Sequence, residues 1–150
     1  MDRIDDLVAA HPALFRGRAP SAFSDLPAGW YDLADRLCVD IEAELGAEPQ
    51  RFAVTQIKEK FGTLRFYFAL EGAEDFYMDI RGTDGVRTTV NRADGPPTMD
   101  RLRKLVRDAS ERSAALCQEC GEVGQASVHD GWVQTLCTRH AQERAARVST

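Results

Sequence analysis

Three of the four cysteines and one of the three histidines lie close together near the end of this 150-residue chain. They form two pairs, Cys117-x2-Cys120 and Cys137-x2-His140, with sixteen residues between the pairs. Zinc takes four such ligands in a tetrahedron, commonly in pairs spaced two to four residues apart. The spacing therefore predicts one zinc ion. Because four protein ligands leave no position open for water, the same spacing predicts a structural zinc.

The segments around the two pairs predict the backbone that would hold the ion. Gly121 follows the first pair, and glycine allows the left-handed backbone that turns amides toward a thiolate. The stretch "ASVHDGWVQTL" predicts a two-stranded hairpin, and "CTRHAQERAARV" predicts a short helix. A knuckle, a hairpin and a helix carrying the second pair are typical of a treble-clef zinc finger.

A second chemistry is open at the turn of that hairpin. Some zinc-stapled nucleases of the His-Me finger type carry an Asp-His pair between cysteine pairs. This chain has His129 and Asp130 in the reverse order, inside a loop of only sixteen residues. That loop leaves little room for such an active site, so a nuclease is the weakest of the three functional hypotheses below.

Two helices flank the middle of the chain. "WYDLADRLCVDIEAELG" repeats apolar residues at three- and four-residue steps, which predicts a helix over residues 30–45 ending at Gly46. "MDRLRKLVRDASERSAAL" predicts a second helix that runs directly into Cys117. We therefore divide the chain into an α+β domain, residues 1–116, and a zinc-binding module, residues 117–150, that is continuous with this helix.

The stretch "IKEKFGTLRFY" predicts a tight β-hairpin around a Phe61-Gly62 turn, because apolar residues alternate on both sides of it. This register buries Ile57, Leu64, Phe66 and Phe68. It pairs Ile57 with Phe66, Thr55 with Phe68 and Ala53 with Leu70.

The outer face of the predicted hairpin gathers Lys58, Lys60, Arg65 and Tyr67, with Lys58 directly opposite Arg65. Like charges in that position are unfavourable, so negative charge is expected nearby. The favoured source is a carboxylate of the acidic helix: Asp32, Asp35, Asp40, Glu42 or Glu44. The alternative is a bound anion or an acidic partner.

Two further strands are predicted at residues 75–82 and 85–92, where apolar and polar residues alternate on either side of a "TDG" turn. The complete prediction is an α+β fold. It has an antiparallel sheet of about four strands packed by helices, with a treble-clef-like zinc finger at the C-terminus.

Composition limits the functional classes. The chain is 43% hydrophobic and 29% charged with a formal net charge of -5, which is typical of a globular protein and gives little support to nucleic-acid binding. Its apolar runs are too short to span a bilayer, and its acidic N-terminus does not resemble a signal peptide. We therefore expect a cytoplasmic, reducing location, where Cys38 would be a buried free thiol.

The blocks "GWYDLADRL", "IKEKFGTLRFYF", "CQECGEVG" and "GWVQTLCTRH" resemble a family of small uncharacterised bacterial and phage proteins. Those proteins combine a "KEKFG-LRFY" block with a C-terminal zinc motif of four ligands. The resemblance covers about half of the chain. It implies a compact zinc-bearing domain, and accessory, defence-related or toxin-neutralising roles are common among such small genes.

Three functions follow from the sequence. The first is a non-catalytic binding domain that recognises a protein partner; no catalytic residue is assigned, and an enzyme is disfavoured. The second is a nucleic-acid or nucleotide binder that uses Lys58, Lys60, Arg65 and Tyr67. The third is the nuclease built on His129 and Asp130.

Overall fold

A computed structural model describes residues 3–20, 23–71 and 97–148. The described elements are α1 (Arg3–Ala10), α2 (Pro12–Phe15), α3 (Tyr31–Leu45), β1 (Phe52–Lys60), β2 (Thr63–Leu70), α4 (Pro97–Ser113), β3 (Gln125–His129), β4 (Trp132–Leu136) and α5 (Thr138–Val148). One-turn 3-10 helices precede α3 and β1. The predicted helix over residues 30–45 is confirmed, and Gly46 caps it with a φ of 59°.

Strands β1 and β2 form the predicted hairpin around Phe61 and Gly62, and Ile57 pairs with Phe66 as expected. Beyond Gln56 the predicted register is wrong. A β-bulge between Val54 and Gln56 pairs Val54 with Phe68 and Phe52 with Leu70. The extra residue places Phe52 and Val54 on the same face as Ile57, where all three are buried.

The helices cover that apolar face of the hairpin. The main core joins residues of α1, α3 and α4 to residues of both strands, and Trp30, Ile57 and Leu102 within it are fully buried. The backbone N–H of Leu64 donates to the Ser113 hydroxyl over 2.8 Å, which links β2 to the end of α4. The opposite face of the hairpin carries Lys58 and Arg65.

The C-terminal segment follows α4 without a long linker. A bridge between Leu116 and Val123 closes the loop that contains Cys117 and Cys120, and the antiparallel pair β3–β4 leads into α5. The module contacts the tip of the first hairpin, where the Thr135 hydroxyl donates to the Gly62 carbonyl over 2.7 Å.

The α+β class, the antiparallel pairing and the treble-clef-like order of elements are confirmed. The described strands form two separate two-stranded sheets. Both strands predicted at residues 75–82 and 85–92 fall outside the described residues. In the part of the chain that is described, no helix has both the length and the apolar character needed to cross a membrane.

Candidate metal centre

The first ligand pair sits on a knuckle made by backbone hydrogen bonds. The Cys117 N–H donates to the Glu122 carbonyl over 2.7 Å, and the Gly121 N–H donates to the Cys117 carbonyl over 2.8 Å. Gly121 has a φ of 80°, the left-handed conformation expected from the sequence. This loop directs the Cys117 and Cys120 sulfurs to the same side.

The second pair lies at the junction of β4 and α5. Cys137 directly follows the strand, and His140 lies in the first turn of the helix. The Ala141 N–H donates to the Cys137 carbonyl over 2.9 Å, so the helical backbone begins at this ligand. The first turn of the helix thereby sets the distance between the Cys137 sulfur and the His140 ring.

The four side chains converge on one point. Their ligand atoms all lie within 4.8 Å of one another. The Cys120 and Cys137 sulfurs are 3.8 Å apart, and His140 Nδ1 is 3.5 Å from the Cys117 sulfur and 3.2 Å from the Cys137 sulfur. Bond lengths to a tetrahedral zinc would give edges of about 3.8 Å between sulfurs and about 3.6 Å between sulfur and nitrogen. The donor set therefore fits a tetrahedral ion of that size.

The electrostatics of the knuckle favour a thiolate at Cys117. Burial opposes ionisation, but the backbone amides of Cys137, Cys120 and Glu119 outweigh it and lower the Cys117 pKa to about 7. The pKa of Cys120 is raised: the Glu122 amide favours its thiolate, but partial desolvation and the neighbouring thiols outweigh that amide. A metal cation would remove the repulsion that arises when both sulfurs ionise.

The knuckle also has a docking partner that the sequence did not indicate. The Gly29 N–H donates to the Gln118 carbonyl and the Trp30 indole N–H donates to the Leu116 carbonyl, each over 2.9 Å. A Cβ atom on Gly29 would lie 2.0 Å from the Cys117 carbonyl oxygen and 2.5 Å from the Gly121 nitrogen. Only a glycine fits there, so the segment before α3 positions the metal-binding loop.

The second candidate site is the outer face of the first hairpin. The structure pairs Lys58 with Arg65 and Lys60 with Thr63, and it places the Lys58 amine 5.8 Å from the centre of the Tyr67 ring. All four predicted residues, Lys58, Lys60, Arg65 and Tyr67, thus lie on one face. Lys58 and Arg65 are half-buried.

The expected ion pair between this face and the acidic helix is wrong. Within the described residues, no carboxylate lies within ion-pair distance of Lys58 or Arg65, and the buried Arg65 Nε has no hydrogen-bond partner. The reason is geometric, because α3 packs against the apolar face of the hairpin. Four of its five carboxylates pair elsewhere, with His11, Arg36 and Arg101.

His11 is a further residue whose role was missed. It is 5% exposed, and its two ring nitrogens lie 2.6 Å from a Glu42 oxygen and 2.7 Å from an Asp35 oxygen. The ring thereby bridges two carboxylates of α3 and ties the start of α2 to that helix. A histidine before a proline gave no signal of these partners in the sequence.

Among the described residues, His129 and Asp130 do not form a cluster of possible catalytic residues. His129 Nε2 lies 2.6 Å from the Ser127 hydroxyl oxygen, and Asp130 occupies the turn with a φ of 52°. In the described part of the chain, Cys117, Cys120, Cys137 and His140 form the group able to hold a metal ion. This geometry lends no support to the nuclease hypothesis.

Comparison of the chain with protein-family models, curated proteins and solved structures gives no match.

Proposed function

We propose that this chain is a small, non-catalytic binding domain stabilised by one structural zinc, and that its first hairpin recognises an anionic ligand. Zinc is the ion that three thiolates and an imidazole in a tetrahedron suit best, and four protein ligands fill its coordination. None of the four cysteines forms a disulfide, in keeping with the reducing, cytosolic setting that we propose. A relation to the bacterial and phage family remains part of the same proposal.

The anionic ligand is supported by one observation: Lys58 and Arg65 lie side by side without a carboxylate among the described residues. A buried guanidinium nitrogen with no partner is costly, and a bound carboxylate or phosphate would supply the missing acceptor at this face. For this reason we rank anion binding ahead of the protein partner that was ranked first on the sequence alone.

Binding of labelled anions to the zinc-loaded protein tests the proposal. The probes are a nucleoside triphosphate, oligothymidylate and polyglutamate, and we expect at least one of them to bind. The variant K58Q/R65Q should lose that binding. A charge-matched control, R36Q/K104Q, removes two exposed cations from α3 and α4 and should bind like the wild type. If no probe binds, or if both double variants bind equally well, the proposal is wrong.

A protein partner is the second candidate, because the metal-binding module exposes large apolar side chains. Val123 is 82% exposed, Trp132 72% and Val128 68%. Such residues on a small module are typical of an interaction surface, and a toxin-neutralising role would use one. Affinity purification from the native host tests this function, with the wild-type protein as one bait and the variant V128S/W132S as the control bait. A specific partner should be retained by the wild type and lost by the variant.

A further inference from the structure

The turns of the two described hairpins share a backbone conformation but differ in sequence. Phe61 and Gly62 have φ values of 54° and 78°, and Asp130 and Gly131 have φ values of 52° and 81°. Two-residue hairpin turns with positive φ at both positions favour Asn, Asp or Gly at the first of them. Asp130 follows that preference, whereas Phe61 is a bulky side chain in a conformation that costs about 1 kcal/mol.

The fold gains little from the ring that carries this cost. Phe61 is 62% exposed, and the Lys60 amine lies 5.5 Å from the centre of its ring. The contact between this turn and the C-terminal module is made by Gly62, whose carbonyl accepts a hydrogen bond from the Thr135 hydroxyl. Residues held in strained backbone conformations are concentrated at functional sites, so an exposed, strained aromatic ring points to an external ligand.

Three cations lie on the outer face of the hairpin that leads to this ring. Lys58, Lys60 and Arg65 share the outer face of the hairpin, and Phe61 lies at its end. The one carboxylate between the two lysines, that of Glu59, accepts from the Gly62 N–H over 3.2 Å. The Cα atoms of Lys58 and Lys60 are about 6.6 Å apart, because they lie two residues apart along a strand. This distance is close to the spacing of successive phosphates in an extended single strand.

We propose that the tip and outer face of the first hairpin bind single-stranded nucleic acid. An unpaired base stacks on Phe61, and the phosphates contact Lys58, Lys60 and Arg65. Base stacking on exposed aromatic rings, combined with a positive track for the backbone, is how proteins bind single strands. A flat ring on a projecting turn suits a base better than an aliphatic side chain, which needs an enclosing pocket. This inference rests on the proposed anion-binding function and specifies its ligand.

The test uses the zinc-loaded full chain and fluorescein-labelled oligothymidylate, oligouridylate and a duplex of equal length, measured by anisotropy over a range of salt concentrations. We expect binding to a single strand and much weaker binding to the duplex, and the two single strands distinguish DNA from RNA. Phe61→Asn should lower the affinity about tenfold, since stacking is lost. The same variant should raise the melting temperature, because asparagine tolerates the left-handed conformation.

Two further variants separate stacking from other effects. Trp132→Ser removes an aromatic ring of similar exposure from the other hairpin and should leave the affinity for single strands unchanged. Arg65→Gln should weaken binding to both single strands and reduce the slope of log affinity against log salt by about 0.7 for each phosphate that the protein no longer neutralises.

Each contrary outcome has a distinct meaning. If the wild type binds single strands and Phe61→Asn binds them equally well, or if the duplex binds as tightly, this inference is wrong while anion binding stands. Binding of polyglutamate but of neither oligonucleotide would identify an acidic protein segment as the ligand instead. Binding of no anionic probe would overturn the inference and the proposed function together.

Discussion

The four candidate metal ligands act as one unit, because each supplies one corner of a tetrahedron and all four ligand atoms lie within 4.8 Å of one another. Removing one thiolate leaves three donors and an open position for water. The affinity of structural zinc is also folding free energy, so the loss affects the local fold as well as the ion.

Replacing Cys120 by serine should therefore abolish stoichiometric metal binding and loosen the segment around β3, β4 and α5. Metal analysis of protein purified without chelator, together with hydrogen exchange, measures both effects. Cys38→Ala is the matched control: Cys38 is a buried thiol of the main core, so that variant should keep its metal. Absence of stoichiometric metal in the wild-type protein would refute the metal-site prediction.

His11 is held by contacts from another helix, and its removal should destabilise the fold. His11→Ala leaves Asp35 and Glu42 without their shared hydrogen-bond partner and opens space in a buried site, at an expected cost of about 2 kcal/mol in the free energy of unfolding. Urea titration measures this cost. His129→Ala, which removes a half-buried ring at the hairpin turn that is hydrogen-bonded to Ser127, should change the same free energy by less than about 0.5 kcal/mol. Equal effects of the two substitutions would contradict this role of His11.

At the scale of elements, the segment before α3 and the metal-binding knuckle fit each other through backbone atoms. Gly29 lies so close to Cys117 and Gly121 that a single methyl group cannot be added without moving one of the two chains. The metal-binding loop is thereby fixed to the segment before α3 by contacts that are distant in sequence.

Gly29→Ala should destabilise the protein by about 3 kcal/mol and weaken metal retention, because the collision is with backbone and cannot be relieved by a side-chain rotation. The matched control is Gly131→Ala, where nothing lies within 4 Å and only the left-handed φ of 81° is unfavourable. That control should cost about 1 kcal/mol. If Gly29→Ala costs no more than Gly131→Ala, the close approach does not exist in solution.

The sequence predicted the elements whose signals are local and missed those that depend on distant partners. Ligand spacing specified the metal centre, and alternation with the Phe61-Gly62 turn specified the hairpin register as far as Gln56. The bulge was missed, although the unequal spacing of Phe52, Val54 and Ile57 marks it. The contacts of Gly29 and His11 could not be predicted, because they depend on how α3 packs against residues that are distant in the chain.

At the scale of the whole molecule, the two cores differ greatly in size. The main core draws on four helices and the first hairpin, whereas the core of the C-terminal module consists of Cys117, Leu136 and Cys137, with Ala141 beside them. Two of those buried residues are metal ligands. So little apolar surface is insufficient to fold a segment of this length without the ion.

Chelation should therefore separate the two parts of the chain. We expect residues 117–148 to lose hydrogen-exchange protection, while α3 and the β1–β2 hairpin keep most of theirs because their apolar contacts remain. Protection near Trp30 should fall partly, since its indole donates to the Leu116 carbonyl next to the knuckle. Adding zinc back should restore the original pattern, and Cys120→Ser should reproduce the chelated state without chelator. Loss of protection throughout the chain in one step would show that residues 1–116 cannot fold without the metal, and the division at residue 116 would then be wrong.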